Sequence, residues 1–319
     1  MRPRQNNHRI LVLGGAHTDR RGRISGETVA GASNPGRFIV EPGGGAFNAA
    51  RNLGLLGFSV RLISPRGGDA DGEAVSAAAA ACGVEDHPFI FLDRQTPSYT
   101  AILSEDGNLV IALADMELYR LFSPRRLKIS AVRQAFEAAD LVVCDANLPE
   151  ETLSAIAAKA RGLGTTLAAI AISPAKAVKL KPALAAFDLV FMNEAEAQVL
   201  SGARAASPEE WPALLRRAGL RGGAVTRGAG QIVAFDDTGT FLLTPPVAET
   251  VIDVTGAGDA FASGTLAGLL ENLPLSQAIR RGAAAAAITI ASPHAVAPDI
   301  GPELLETMVG LVPPAIVLA

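Results

Sequence analysis

The sequence predicts an α/β fold, a three-layer α/β/α sandwich around a mainly parallel sheet with a small β-strand lid. Two observations predict it. Short apolar, strand-like runs alternate with Ala- and Leu-rich helical ones along most of the chain, the pattern of βαβ units. Two stretches, at about 20–41 and 96–116, break that rhythm by alternating polar and apolar residues, and Glu105-Asp106-Gly107-Asn108 sits at a hairpin position in the second. Those stretches read as antiparallel strands set apart from the main sheet, over one of its edges.

In chain order, residues 9–14 (RILVLG) form a buried strand. Residues 45–57 carry the apolar spacing of an amphipathic helix and stop at Gly57, a residue suited to end one. A strand at 59–64, a helix at 69–82, a strand at 140–144 and a helix at 149–161 follow. Strands at 167–172 and 188–192, a helix at 193–201 and a strand at 223–227 continue the alternation, and helices at 257–271 and 275–291 close it. The Ala-rich run 283–291 is too short and too small-sided for a membrane span and reads as a tightly packed core helix. No repeat or linker interrupts the chain, so residues 1–319 read as one domain bearing the lid.

Composition narrows the function. Hydrophobic residues make up 49% and charged residues 19%, as in a folded globular protein, and the net charge of -4 gives no basic face for a nucleic-acid polymer. A free nucleoside remains compatible with that charge. Cys82 and Cys144 lack metal-ligand spacing and read as reduced core thiols of a cytoplasmic protein. The basic opening MRPRQNNHR runs straight into the first strand without the apolar region of a signal peptide.

The chemically informative run is Asp253-Val254-Thr255-Gly256-Ala257-Gly258-Asp259, followed by a helix rich in small residues. A helix that begins in a glycine turn points unpaired N–H groups outward, with the positive end of its dipole behind them. Gly256 and Gly258 let a phosphate approach that backbone, and Asp259 in the first turn is placed to take a proton from an attacking hydroxyl. The same pattern suits a tight loop in which Asp259 merely caps a helix; Asp253, Thr255 and the small-residue helix favour the chemistry. Neither GxxxxGK[ST] nor the glycine spacing of a dinucleotide site is present, which excludes a P-loop enzyme and weighs against a dehydrogenase.

From strand 9–14 to about residue 300 the sequence resembles the ribokinase-like (PfkB) carbohydrate kinases, whose signature is DTxGAGD. The resemblance implies that Asp259 is the catalytic base, that the amides of Gly256, Ala257 and Gly258 form the anion hole, and that Asp253 and Thr255 help bind a monovalent cation, K+. Pro42-Gly43-Gly44-Gly45-Ala46-Phe47-Asn48 matches a second family mark. Bare backbone at Gly44 and Gly45 permits close contact with a sugar, and Asn48 offers it a donor and an acceptor. Asp19 matches the aspartate that binds sugar hydroxyls; read alone it is a solvated turn residue. Asn193-Glu194-Ala195-Glu196 matches NxxE, which implies ATP binding by Asn193 and a Mg2+-bound water held by Glu196. Read alone these are an N-cap and first-turn acids. Thr226, Gly228 and Gly230 fit the loop that holds ATP.

Within the family the chain is most similar to pseudouridine kinases, through Ala32-Ser33-Asn34-Pro35-Gly36, Thr96-Pro97-Ser98-Tyr99, Ala112-Leu113-Ala114-Asp115-Met116 and Cys144-Asp145-Ala146-Asn147. That likeness implies a lid whose Asn34 and Asp115 face a nucleobase; read alone, these residues only shape the lid and its dimer contacts. The exposed edges of the lid sheet point to a homodimer formed through it. Two departures lie on the expected nucleotide side: Ile170-Ala171 for Asp-Pro, and Phe191-Met192-Asn193 for Lys-Pro-Asn. Three readings follow: an ATP-dependent kinase for the 5′-hydroxyl of pseudouridine, a kinase for another nucleoside or a free sugar such as ribose, and a non-catalytic ligand-binding regulator on a kinase fold.

Overall fold

The computed structural model describes residues 6–318; the opening residues 1–5 and Ala319 lie outside it. A ten-stranded sheet forms the middle layer. Seven of its strands are parallel, in the order Glu85–Asp86, Phe58–Ile63, Asn6–Leu13, Leu141–Asp145, Thr166–Ile170, Leu189–Asn193 and Gly223–Thr226. Three antiparallel strands, Ile232–Asp236, Gly239–Leu243 and Ile316–Leu318, complete the far edge. The parallel strands read as unbroken apolar runs because both of their faces are covered. Ile10 and Val12 belong to one core, with Phe47, Phe261 and Ile279. Leu11 and Leu13 belong to the other, with Phe136, Ile156 and Trp211.

The helices follow the same division. Gly45–Leu55, Ala257–Leu270 and Leu275–Ile290 lie on the first face, and Ser130–Ala138, Glu150–Leu163, Glu194–Ser201 and Trp211–Arg217 on the second. The helix read from the Ala-rich run packs backbone to backbone with its neighbour: a Cβ on Gly264 would sit 2.6 Å from the Arg281 carbonyl oxygen. The strand expected over 167–172 stops at Ile170, because Ile172 takes a left-handed φ of 70°. For a β-branched residue that is an outlier. The Ser173 amide donates back to the Ala171 carbonyl at 2.8 Å, which closes a tight turn around Ile172.

A second sheet of four strands, in the order Gly36–Gly43, His17–Ile24, Ser98–Leu103 and Leu109–Asp115, stands apart from the first. Its outer pairs are antiparallel, as expected, but His17–Ile24 and Ser98–Leu103 run parallel, a pairing that alternation alone does not reveal. The hairpin turn falls at Gly107, with φ +87°. Residues directly opposite one another share a face. Glu41, Asp19, Tyr99 and Ala114 therefore line up on one face, and Val40, Arg20, Thr100 and Leu113 on the other. Phe38, Ile111 and Asp115 share the second face.

Candidate active site

The carboxyl ends of the parallel strands are where α/β sheets bind ligands, and the candidate residues gather there. Gly256 caps the helix Ala257–Leu270 in a left-handed conformation, φ +80°. A Cβ on it would collide with the Ala295 carbonyl oxygen, whereas a Cβ on Gly258 would meet only open space. In the first turn the Ala257 amide turns back to Val254 at 3.3 Å and the Ala260 amide bonds the Gly256 carbonyl at 2.9 Å. Among the described residues this leaves the amides of Gly258 and Asp259 without a backbone acceptor.

Asp259 accepts a hydrogen bond from Asn48 Nδ2 at 2.9 Å, and Asn48 Oδ1 accepts one from Arg51 at 2.9 Å. Burial pushes the Asp259 carboxyl up to about 7; the Asn48 bond opposes that rise, and Asp145, Asp19 and Glu196 add to it. A Cβ on Gly45 would lie 3.3 Å from Asp259 Oδ1 and would push aside the tip of the Ile172 side chain, so glycine lets these two segments meet closely. The departures from the family pattern lie beneath this point as core residues: Ile170, Ala171, Phe191 and Met192 are buried, and Phe191 packs edge-on against Phe261 of the same helix.

Asp19 projects from the second sheet toward Gly43, and Gly44, at φ +114°, passes close to the Gly15 carbonyl. His17 Nε2 lies 3.2 Å from Asp19 Oδ1, and His17 Nδ1 bonds the buried Tyr119 hydroxyl at 2.8 Å. Asp145, fully buried, ends a strand and gathers the neighbouring backbone: it accepts from the amides of Gly15, Ala46 and Asn147 and from Asn147 Nδ2 at 2.7 Å. Lys176 Nζ donates to Asn147 Oδ1 at 2.6 Å. Sequence reading passed over His17, Tyr119, Asp145 and Lys176 as site residues. Only Asp145 carried a signal, as a carboxylate closing an apolar strand.

Two expected base contacts are not brought here. Asn34 bonds the Val29 amide at 2.8 Å and the carbonyls of Val29 and Ala32, closing its own loop at the far end of the hairpin from Gly43. Asp115 is exposed and lies on the opposite face of the second sheet from Asp19.

On the other side of the catalytic loop, Asn193 and Glu196 form a reciprocal helix cap. The Glu196 amide donates to Asn193 Oδ1 at 3.0 Å, and both Glu196 carboxylate oxygens accept from Asn193. Burial pushes the Glu196 carboxyl above its ordinary value against those bonds. Thr226 pairs with Asn193 at the strand ends, and the turn after it carries Gly228 at φ +55° and a bond from the Gly230 amide to the Arg227 carbonyl at 2.8 Å. A Cβ on Gly228 would meet only open space, so the backbone of this turn is open on that side. Asp253 accepts from the Thr255 amide at 2.8 Å and its hydroxyl at 2.7 Å, and its other oxygen binds the Arg21 guanidinium, which reaches across from the second sheet. Burial raises the Asp253 carboxyl, but the Thr255 bonds and Arg21 outweigh it and leave it below the usual range.

The pfkB family carbohydrate kinase pattern matches residues 7–300. The chain belongs to that family. It is therefore a phosphotransferase with an alcohol acceptor, a sugar or nucleoside kinase; kinases of this family use ATP, typically with Mg2+. A carbohydrate kinase from Agrobacterium tumefaciens has a solved structure that is 61% identical, with a TM-score of 0.88 over 98% of this chain and 100% of that one. The pseudouridine kinase of Escherichia coli is 26% identical over 295 residues, 91% of this chain and 93% of its own. The Arabidopsis thaliana ribokinase complexed with ribose and ATP, at 19% identity and a TM-score of 0.85 over 95% of this chain and 99% of its own, shares the fold. Among the described residues no helix is long and apolar enough to cross a membrane.

Proposed function

We propose that this kinase transfers the γ-phosphoryl group of ATP to the 5′-hydroxyl of a nucleoside, pseudouridine foremost, with Asp259 as the base. The observation that carries the reading is the Asp259 carboxyl, held at about 7 beside the outward amides of Gly258 and Asp259. A general base works best when its pKa lies near the working pH. ATP with Mg2+ supplies the phosphoryl group. Asp259 takes the hydroxyl proton as the acceptor oxygen bonds to phosphorus and the bond to the departing ADP breaks. The amides of Gly258 and Asp259 face the charge that develops, the kind of preorganised donor that lowers such barriers, whereas the Ala257 amide, expected in the same anion hole, is turned back to Val254. Asp19, Asn48, Gly44 and Gly45 hold the ribose, and Asn193, Thr226, Gly228 and Gly230 hold the nucleotide. Glu196, whose carboxylate oxygens already accept from Asn193, would steady a Mg2+-bound water. K+ belongs to the same reading: a cation at Asp253 and Thr255 competes with Arg21 for one carboxylate. Pseudouridine is favoured by the similarity to the Escherichia coli enzyme along nearly the whole chain.

The same reading includes a homodimer through the lid. Phe38, Val40, Ile111 and Leu113 share the face of the second sheet turned from Asp19, and each is more than half exposed. Such a patch, flanked by open strand edges, calls for a cover. Sedimentation of the purified chain checks it, with a monomeric mass at micromolar concentration counting against it.

Function is tested by coupled ADP release over a panel of nucleosides and free sugars. Phosphorylation of pseudouridine at the 5′ position is the expected result. A preference for adenosine or ribose overturns the acceptor while leaving the kinase intact, and binding without turnover favours the regulator.

A further inference from the structure

Beyond Asp19 the second sheet and the strand ends line an open cavity of about 560 Å³ whose walls include Ala114, Met116, Tyr119, Asn147, Glu150 and Lys176. Its volume falls within the range of small-molecule sites, roughly 300–1,000 Å³. Three relations tie it to the acceptor. Ala114 stands on the face of the sheet that carries Asp19. The Tyr119 hydroxyl reaches Asp19 through His17. Asn147 bonds Asp145, whose carboxylate also holds the Ala46 amide at the start of the helix that bears Asn48. The cavity thus begins two polar contacts from Asp19, one of the groups assigned to the ribose.

The polar wall is specific in kind. Lys176 is partly buried; burial lowers the pKa of its ammonium while Asp145 and Asp19 act to raise it, so the charge lies within reach of both carboxylates. One of its three N–H bonds goes to Asn147, and the Asn147 amide nitrogen is held by Asp145. Lys176 therefore has donors to offer a ligand, whereas Asn147 is committed. Glu150 supplies an acceptor on the same wall, and Met116 and Tyr119 supply apolar area for a flat ring.

We propose that this cavity is the base subsite of the acceptor and that Lys176 selects nucleobases bearing a ring carbonyl, with Glu150 accepting an adjacent ring N–H. The inference rests on the nucleoside reading and deepens it, since it assigns the base to residues other than Asn34 and Asp115. Once a bound base excludes water from the Lys176 ammonium, a donor left without its acceptor costs about 1–3 kcal/mol, or roughly a fivefold to hundredfold loss. Cytidine carries an amino group and an unprotonated ring nitrogen where uracil has a carbonyl beside a ring N–H, and adenosine has no ring carbonyl, so either leaves Lys176 in that position.

The test compares kcat/KM for pseudouridine, cytidine and ribose in the wild type and in Lys176→Met. Loss of the lysine is expected to lower the pseudouridine-to-ribose ratio about fivefold or more, and to shrink the pseudouridine-to-cytidine preference. A purely structural lysine would depress all three together, so a ratio that moves less than fivefold overturns the proposal. Ala114→Trp, which fills the cavity from the sheet side without touching Lys176, is expected to lower the same ratio and stands in if Lys176→Met does not fold. Calorimetric binding of pseudouridine without ATP separates the two claims. Binding that weakens in both variants, in a protein that turns nothing over, keeps the subsite and removes the kinase reading; turnover with an unmoved ratio does the reverse.

Discussion

Asn48 Nδ2 donates to Asp259 Oδ2 across 2.9 Å, and this bond joins the first turns of two helices whose residues lie 211 positions apart. One helix brings the groups assigned to the acceptor, the other the turn proposed to bind phosphate. The bond thus fixes the separation between the proposed base and Asn48 of the proposed acceptor site.

Replacing that acceptor should abolish most turnover. Asp259→Asn keeps the shape and can still accept from Asn48, so kcat should fall by roughly 10²–10⁴-fold while nucleoside affinity changes little. Steady-state kinetics with calorimetry checks both halves; near-normal turnover would remove Asp259 from its role.

Proton linkage gives a second expectation. An Asp259 carboxyl at about 7 must be ionised to act, so kcat/KM should rise with pH through an apparent pKa near 7. Its native pKa is raised above the ordinary value of about 4, so between about 4 and 7 the native state binds more protons than the unfolded one, and the stability it contributes is lost as pH rises. Asp259→Asn should therefore melt higher than the wild type at pH 8, and by less at pH 5. Equal differences at the two pH values would contradict the shift.

Gly256 tests the turn itself. An alanine there must hold a left-handed φ and collide with Ala295, costing upwards of about 1 kcal/mol. Gly256→Ala should melt at least roughly 2–4 °C lower and lose turnover. Unchanged melting and kinetics would show that the left-handed turn is dispensable.

The cation assignment predicts that K+ raises activity over a large organic cation at constant ionic strength. Because Arg21 occupies the Asp253 carboxylate, Arg21→Ala should lower the K+ concentration needed for half-activation. Flat activity across the exchange would count against the site.

Acceptor preference is the last expectation. Pseudouridine carries a ring N–H that uridine lacks, and a buried acceptor left unpaired costs about 1–3 kcal/mol. Pseudouridine should lead uridine by roughly fivefold to more than a hundredfold in kcat/KM, with ribose behind both.

The main sheet was legible because burial on both faces writes each strand as a continuous apolar run, as in Leu141–Asp145. The catalytic turn was legible because its parts are consecutive in the chain. Contacts made at long range were not: His17 meets Tyr119 across 102 residues, and nothing local to either announces it. Asp115 shows a different failure. Similarity located the strand, but neighbouring residues on a strand face opposite ways, so Ala114 looks toward Asp19 and Asp115 away. The edge strands Ile232–Asp236 and Gly239–Leu243 escaped notice because they pair as an antiparallel hairpin, outside the alternation with helices that marked the others.

Arg21 gives the second sheet a grip on the catalytic loop, and His294 holds Glu41 of the adjoining strand to the segment beyond it. Phe38 and Val40 belong to the same strand as Glu41, so whatever covers the apolar back of the sheet, a second copy in the proposed dimer, bears on the strand that Arg21 and His294 tie toward the turn at Gly256.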